Sequence, residues 1–186
     1  MLRRLLITGY KPHELGIFDN KHLGIGYIKK AIKKRLIAFI EEGAACEWVI
    51  ISGQLGVELW AADVIFELKH EYPQLKLAII TPFLDQEKNW QEEKQEYYRG
   101  IVARADFVTS VTKKPYEGPW QFKAKNAFLL DNTDGMLVVY DEEKEGSPRY
   151  IVAEAKRRSE AEDYFFTTIS ALDLQAIVEE EQANDF

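Results

Sequence analysis

Ile50-Ile51-Ser52-Gly53-Gln54-Leu55-Gly56-Val57-Glu58-Leu59-Trp60 is the stretch on which the fold turns. Ahead of the glycines, Trp48–Ser52 is a short apolar run read as a buried strand. Behind them, Val57, Trp60, Ala61, Val64, Ile65 and Leu68 form one apolar stripe at helical spacing. A strand passing through glycine into an amphipathic helix is half of a βαβ unit. Glycine there lets the backbone come close to a ligand, and the first-turn amides point at whatever lies over the helix N-terminus. A tight turn needs glycine for its own sake, so the spacing alone leaves both roles open.

The same alternation runs outward in both directions. Upstream, Arg4–Thr8 reads as a strand, Gly9 to about Gly24 as a polar loop, and about Ile25 to Glu42 as a helix stopped by Gly43. Downstream, Leu75–Thr81 is a strand ended by Pro82, Glu87–Ala105 a helix and Phe107–Thr112 a strand. A loop over Lys113–Pro119 opens the next helix, and Gly135–Tyr140 is a strand apolar throughout. Ser147-Pro148 makes an N-cap and first-turn pair for a helix reaching about Arg158, and Tyr164–Ile169 is the last strand. A short helix then leads into the acidic segment 179–186, expected to fray.

Strands apolar on both faces, alternating with helices, predict a parallel sheet covered on both sides. Right-handed crossovers make it doubly wound. The expectation is therefore a single Rossmann-like α/β domain over residues 1–178, with a mainly parallel sheet and a ligand site beyond the carboxyl ends of the strands.

Bulk composition narrows the partners. The chain of 186 residues suits one domain, and it has no apolar run near the ~18 residues of a spanning helix. The apolar stretch after Met1 is too short for a signal peptide, and the lone Cys46 excludes an internal disulfide; both point to the cytoplasm. A net charge of −7 argues against duplex nucleic acid as a partner and leaves a small anion open. The basic run Lys29-Lys30 with Lys33-Lys34-Arg35 is expected to be a solvated helix face. His13, His22 and His70 lack metal-ligand spacing, so no metal site is expected. A homo-oligomer or a protein partner stays open.

The candidate ligand residues cluster in the strand-to-helix loops. Ser52, Gly53, Gln54, Gly56 and Glu58 form the central set, with Glu58 placed to accept from ribose hydroxyls while glycine amides take a phosphate. On the helix-dipole contribution alone, replacing Glu58 by Gln is expected to cost folding well under ~1 kcal/mol. The first loop is longer than such connections usually are; it offers Thr8, Gly9 and Lys11 as phosphate ligands and Tyr10 as a stacking ring. Asn89 and Trp90 follow the third strand, and Gln121, Lys125 and Asn126 lie on the helix after the fourth. Glu145-Gly146-Ser147 presents a further glycine at a helix start. Were the protein an enzyme, Glu58 or Glu145 would activate water.

These runs carry a resemblance. Ile7-Thr8-Gly9-Tyr10-Lys11-Pro12 with Glu14-Leu15-Gly16, Ser52 through Ala62, Thr81-Pro82-Phe83 with Glu87-Lys88-Asn89-Trp90, and Glu145-Gly146-Ser147-Pro148 resemble the YpsA family of the SMF/DprA–LOG (SLOG) superfamily of Rossmann-like proteins. The resemblance covers nearly the whole chain. It implies a nucleotide-binding role with an NAD- or ADP-ribose-like ligand, and a link to cell-division control in Gram-positive bacteria. By motif match it carries over Gly53, Gly56 and Glu58 as ligand residues, with Thr8 and Gly9 beside them. The phosphoribohydrolase branch has P-G-G-x-G-T at its second glycine site, from which Glu145-Gly146-Ser147-Pro148 departs. Binding or sensing a nucleotide-derived molecule is thus the leading expectation. The alternatives are an N-glycosidic hydrolase and a protein-interaction adaptor with a vestigial pocket.

Overall fold

Six strands alternate with six helices, and every paired strand in the sheet is parallel. The computed structural model describes residues 2–185; Met1 and Phe186, the outer ends of the expected domain and tail, lie outside the described residues. In chain order the elements are β1 (Arg4–Gly9), α1 (Leu23–Glu41), β2 (Trp48–Ile51), α2 (Val57–Leu68), β3 (Lys76–Thr81) and α3 (Glu92–Arg104). Then come β4 (Phe107–Ser110), α4 (Trp120–Asp131), β5 (Gly135–Val139), α5 (Arg149–Ala161), β6 (Phe165–Ile169) and α6 (Ala171–Asn184).

The strand order is β4-β3-β2-β1-β5-β6. The chain starts near the middle of the sheet, winds outward to β4, then crosses back to β5 on the other side of β1. Alternation along the strands sorts the two cores. Leu5, Ile7, Val49 and Ile51 pack with Ile32 of α1, Leu59 of α2, Ile101 of α3 and Ile177 of α6. Leu6, Ile50, Ala78 and Val138 face Leu129 of α4 and Val152 of α5. The expected doubly wound α/β sheet with helices on both faces is therefore what forms. No helix among the described residues is long and apolar enough to cross a membrane.

Local departures from the sequence expectation have identifiable causes. The polar loop after β1 contains a 3-10 turn over Pro12–Leu15 and buries Ile17. The third helix starts at Glu92 rather than Glu87: Asp85 is left-handed (φ 55°), and the Gln95 side chain takes the carbonyls of Glu87 and Lys88, which a continuous helix would use. The segment expected to fray is helical through Asn184, because α6 supplies partners to α1. Lys30 pairs with Glu181, Lys34 with Glu180 at 3.2 Å, and Arg35 with Asp173 at 3.7 Å, while Lys29 and Lys33 pair with Asp63 and Glu67 of α2. The basic run is thus a solvent-facing strip, as expected, that also clasps α1 to α2 and α6. Cys46 is buried, and desolvation pushes its thiol up to about 11, so it is not poised as a nucleophile.

Candidate functional site

Thr8 at the end of β1 and Ser52 after β2 point to the face covered by α4 and α5, in phase with Leu6 and Ile50. Glu58, in the first turn of α2, reaches over the sheet edge to both of them. Its Oε1 accepts from the Ser52 amide at 2.6 Å and the Ser52 hydroxyl at 2.8 Å, and its Oε2 accepts from the Thr8 hydroxyl at 2.9 Å. The Gln54 amide adds a longer contact at 3.4 Å. Only 4% of Glu58 is exposed. The carboxylate therefore ties three segments together. This corrects the stability expectation for Glu58→Gln, because more than a dipole contribution is at stake. Buried donors would lose acceptors, at about 1–3 kcal/mol for each one left unmade.

The glycines of this turn are explained first by packing. Gly56 has φ +99°, and a Cβ there would overlap the carbonyl oxygen of Tyr10, which accepts from the Val57 amide at 3.1 Å. Gly53 has φ +80° and lies under the Gln86 amide and the Tyr98 ring. Gln86 in turn donates to the Ser52 carbonyl at 2.9 Å. Gly9 leaves room for the Val57 side chain. Close approach of chain to chain accounts for these glycines.

Across the edge from Glu58 stands α4. Gln121, Lys125 and Leu129 recur every four residues on its sheet-facing side, which places a lysine in a buried stripe. Lys125 keeps part of its surface in solvent, yet has no salt-bridge or hydrogen-bond partner among the described residues. Desolvation holds its amine below the ordinary lysine range; Glu58 pulls it back up, and Lys11 pushes it further down. Next to it, the Oδ1 of Asn126 is buried and accepts nothing. Native interiors rarely leave such an acceptor unmet. Glu58 and Lys11 are thus both close enough to Lys125 to act on it, and Asn126, one residue further along α4, carries an unused amide oxygen.

The loop after β5 is organised differently. Glu14 accepts from the Ser147 amide and the Ser147 hydroxyl, both at 2.6 Å, and from the Lys11 amide at 2.8 Å. Desolvation would raise the Glu14 pKa, but the bonds from Ser147 and Lys11 together hold it below 4.5. Ser147 was expected to cap α5; it is drawn instead to Glu14, and Pro148 takes the cap position. Gly146, at φ +53°, has no room for a side chain because Glu14 and the Tyr10 ring occupy that space. Tyr10, expected as a stacking ring for a ligand, is 3% exposed and stacks on Tyr140 with centroids 5.9 Å apart. Its hydroxyl accepts from the Asp141 amide at 2.8 Å and bonds the Lys144 carbonyl. The ring has no free face to offer.

The remaining candidates are placed as follows. Gln121 is fully buried: its oxygen accepts from the Glu117 and Gly118 amides, and its nitrogen donates to the Thr112 hydroxyl and the Pro115 carbonyl. It shapes the loop before α4 and has no capacity left for a ligand. Asn89 is exposed in the turn before α3, and Trp90 packs edge-on against Tyr98 at 5.2 Å. Glu145 is exposed and acts electrostatically on Tyr140 and Arg149; Glu58 acts on Lys125. The structure thus brings together Thr8, Lys11, Ser52, Gln54 and Glu58, and leaves Glu145 in the other loop system. Gln86, Tyr98 and Glu14 were missed as organisers. They are polar or aromatic residues with no spacing signature, and their roles arise from contacts far along the chain.

Parallel strands on either side of β1 and a glycine turn into α2 define a Rossmann-like α/β domain. The family described as "YspA SLOG family", YpsA, matches residues 5–174, and the chain belongs to it. A UPF0398 protein of Lysinibacillus sphaericus is 61% identical over 181 residues, spanning 97% of this chain and 100% of the relative. One from Brevibacillus brevis is 57% identical, covering 98% of this chain and 96% of its own, and one from Bacillus cereus is 57% identical over 99% of both. The family is of the SLOG type, generally nucleotide-related.

Proposed function

We propose that the protein binds or senses a nucleotide-derived small molecule in the crevice between α4 and the ends of β1 and β2. One observation carries this reading. Within electrostatic reach of the buried, hydrogen-bonded Glu58 stands Lys125, which has no partner among the described residues, and the next residue along α4, Asn126, has a buried oxygen that accepts nothing there. Groups of that kind are held in place by a fold only at a cost, which a ligand offsets when it supplies an anion and a hydroxyl. Family membership gives the ligand its class, with NAD- or ADP-ribose-like molecules first on the panel. The cytoplasmic setting read from the lone Cys46 and the short N-terminal apolar stretch, and the link to cell division implied by the resemblance, belong to the same proposal.

Thermal-shift screening of the full chain against nucleoside mono- and diphosphates, NAD and ADP-ribose tests it. A saturable, concentration-dependent rise in melting temperature with at least one of them is expected. Flat melting curves across the panel would overturn the reading in favour of the adaptor alternative. Chromatography of the incubated mixtures then separates binding from hydrolysis. Intact nucleotide is expected, since Glu58 is tied up by Ser52 and Thr8, and Glu145 lies elsewhere.

A further inference from the structure

The sheet has two edges, β4 and β6, and the chain treats them differently. Arg35 of α1 covers β6: its guanidinium donates to the Thr168 carbonyl at 3.2 Å and to the Thr167 hydroxyl at 2.9 Å, while Phe39 packs edge-on against Phe165. β4 has no such cover. Among the described residues no hydrogen bond from any element but β3 reaches its backbone, and Lys113 donates only to the Thr109 hydroxyl. The strand itself carries no charge or proline to guard that edge. Phe107 and Val108, 51% and 42% exposed, show apolar side chains on its two faces.

Beside Val108 a cavity of about 490 Å³ opens between α3 and β4, with Phe83, Leu84, Tyr98 and Val102 around it. Its charges balance, Arg99 and Lys113 against Asp85 and Glu87, so it suits an uncharged side chain. Phe83 continues the apolar surface to Tyr116 and Phe122, with ring centroids 5.0 and 5.5 Å away. There the balance tips: 111–123 holds Lys113, Lys114 and Lys123 against Glu117 alone, in a chain of net charge −7.

We propose that β4 and this cavity dock an extended peptide segment of a partner protein, added to the sheet as a further strand. Its main chain pairs with β4, one apolar side chain enters the cavity, and acidic residues at the end nearest the carboxyl terminus of β4 face the lysines. The backbone edge selects this occupant over a lipid surface, which offers nothing to unpaired N–H and C=O groups. A second copy of the chain fits less well. Two-fold pairing of β4 with itself would turn Arg104 and Asp106 of that copy toward the lysines, and Asp106 is already bound to Lys69 and to the Leu77 amide. Docking here is independent of any small molecule bound near Glu58.

A random peptide library displayed on phage, selected on the full chain, supplies the probe. Enriched peptides are expected to share apolar residues at alternate positions with Asp or Glu toward one end, and to bind more weakly as salt rises. Methylating alternate backbone amides of such a synthetic peptide should cost about 10-fold or more in affinity in one register and little in the other, because only every second amide of an added strand faces β4. Val108→Lys is expected to cost at least as much. No enriched peptide, equal tolerance of methylation in both registers, or unchanged binding to Val108→Lys overturns the proposal. So does a concentration-dependent dimer of the parent chain, seen in sedimentation, that Val108→Lys dissolves, since a second copy then occupies the edge. The methylation comparison uses the parent chain alone, so a folding defect in Val108→Lys leaves the test intact.

Discussion

Two carboxylates in this protein do the same local chemistry in different company. Glu58 and Glu14 each accept from the amide and the hydroxyl of one serine, Ser52 and Ser147, with all four bonds between 2.6 and 2.8 Å. Glu14 locks the first loop onto the loop after β5. Together with the Tyr10–Tyr140 stack it fills the gap between β1 and β5, where a doubly wound sheet ordinarily opens its ligand crevice. Glu58 also locks loops together, but Lys125, within electrostatic reach of it, and the Asn126 oxygen next along α4 have no partner among the described residues. A carboxylate clamp by itself is therefore structural. On the binding reading proposed above, the site is set apart by Lys125, a neighbour of Glu58 that finds no partner among the described residues.

The two clamps should separate first by energy. Glu58→Ala strands the buried Ser52 and Thr8 donors and is expected to cost about 3 kcal/mol or more of folding stability, whereas Glu14→Ala, where water can replace the lost bonds, should cost about 1 kcal/mol. Denaturant unfolding of the two variants measures both. Equal losses would mean that burial does not distinguish the clamps. Next in size, Gly56→Ala should destabilise by about 2 kcal/mol, since the left-handed backbone there is costly for alanine and the Tyr10 carbonyl is in the way. A neutral result in a melting experiment would remove the packing explanation of that glycine.

How much of this the sequence disclosed depended on whether the signal was local. Apolar strands and the α2 stripe are local patterns, and they yielded the parallel sheet and the central motif. The position of Glu58 was equally legible, but its hydrogen bonds to Ser52 and Thr8 were not, because Thr8 lies 50 residues away along the chain. Glycines in the strand-to-helix turns suggested ligand contact, and the structure shows that Gly56 and Gly146 are also needed for loop contact. A positive φ and a close neighbour leave the same mark in a sequence as a bound phosphate would. Lys125 did leave a readable trace, a charge four residues from both Gln121 and Leu129, although only burial of that stripe gives it meaning. The helical end of α6 was hidden because its support comes from the lysines of α1.

Smaller effects sharpen the contrast. Asn126→Leu removes a buried acceptor that has no donor, so folding is expected to gain about 1 kcal/mol while binding of any hydroxyl-bearing ligand weakens. A destabilised Asn126→Leu would mean that the oxygen is satisfied in solution after all. Acid should act on the Glu14 latch. Its carboxyl is depressed in the folded state, so its contribution is present above the unfolded pKa and is lost as pH falls through the folded value below 4.5. Amide exchange in 141–147 should then speed up on acidification more than the intrinsic rate change accounts for, and Glu14→Gln should abolish that excess.

Hydrogen exchange of the full chain with and without a bound nucleotide, beginning with ADP-ribose, tests the central claim most directly. The account predicts ligand-dependent protection in 52–58 and in 120–126 of α4, with 141–147 unchanged. Protection of 141–147 without any in 120–126 would place the ligand at the β1–β5 gap and contradict it.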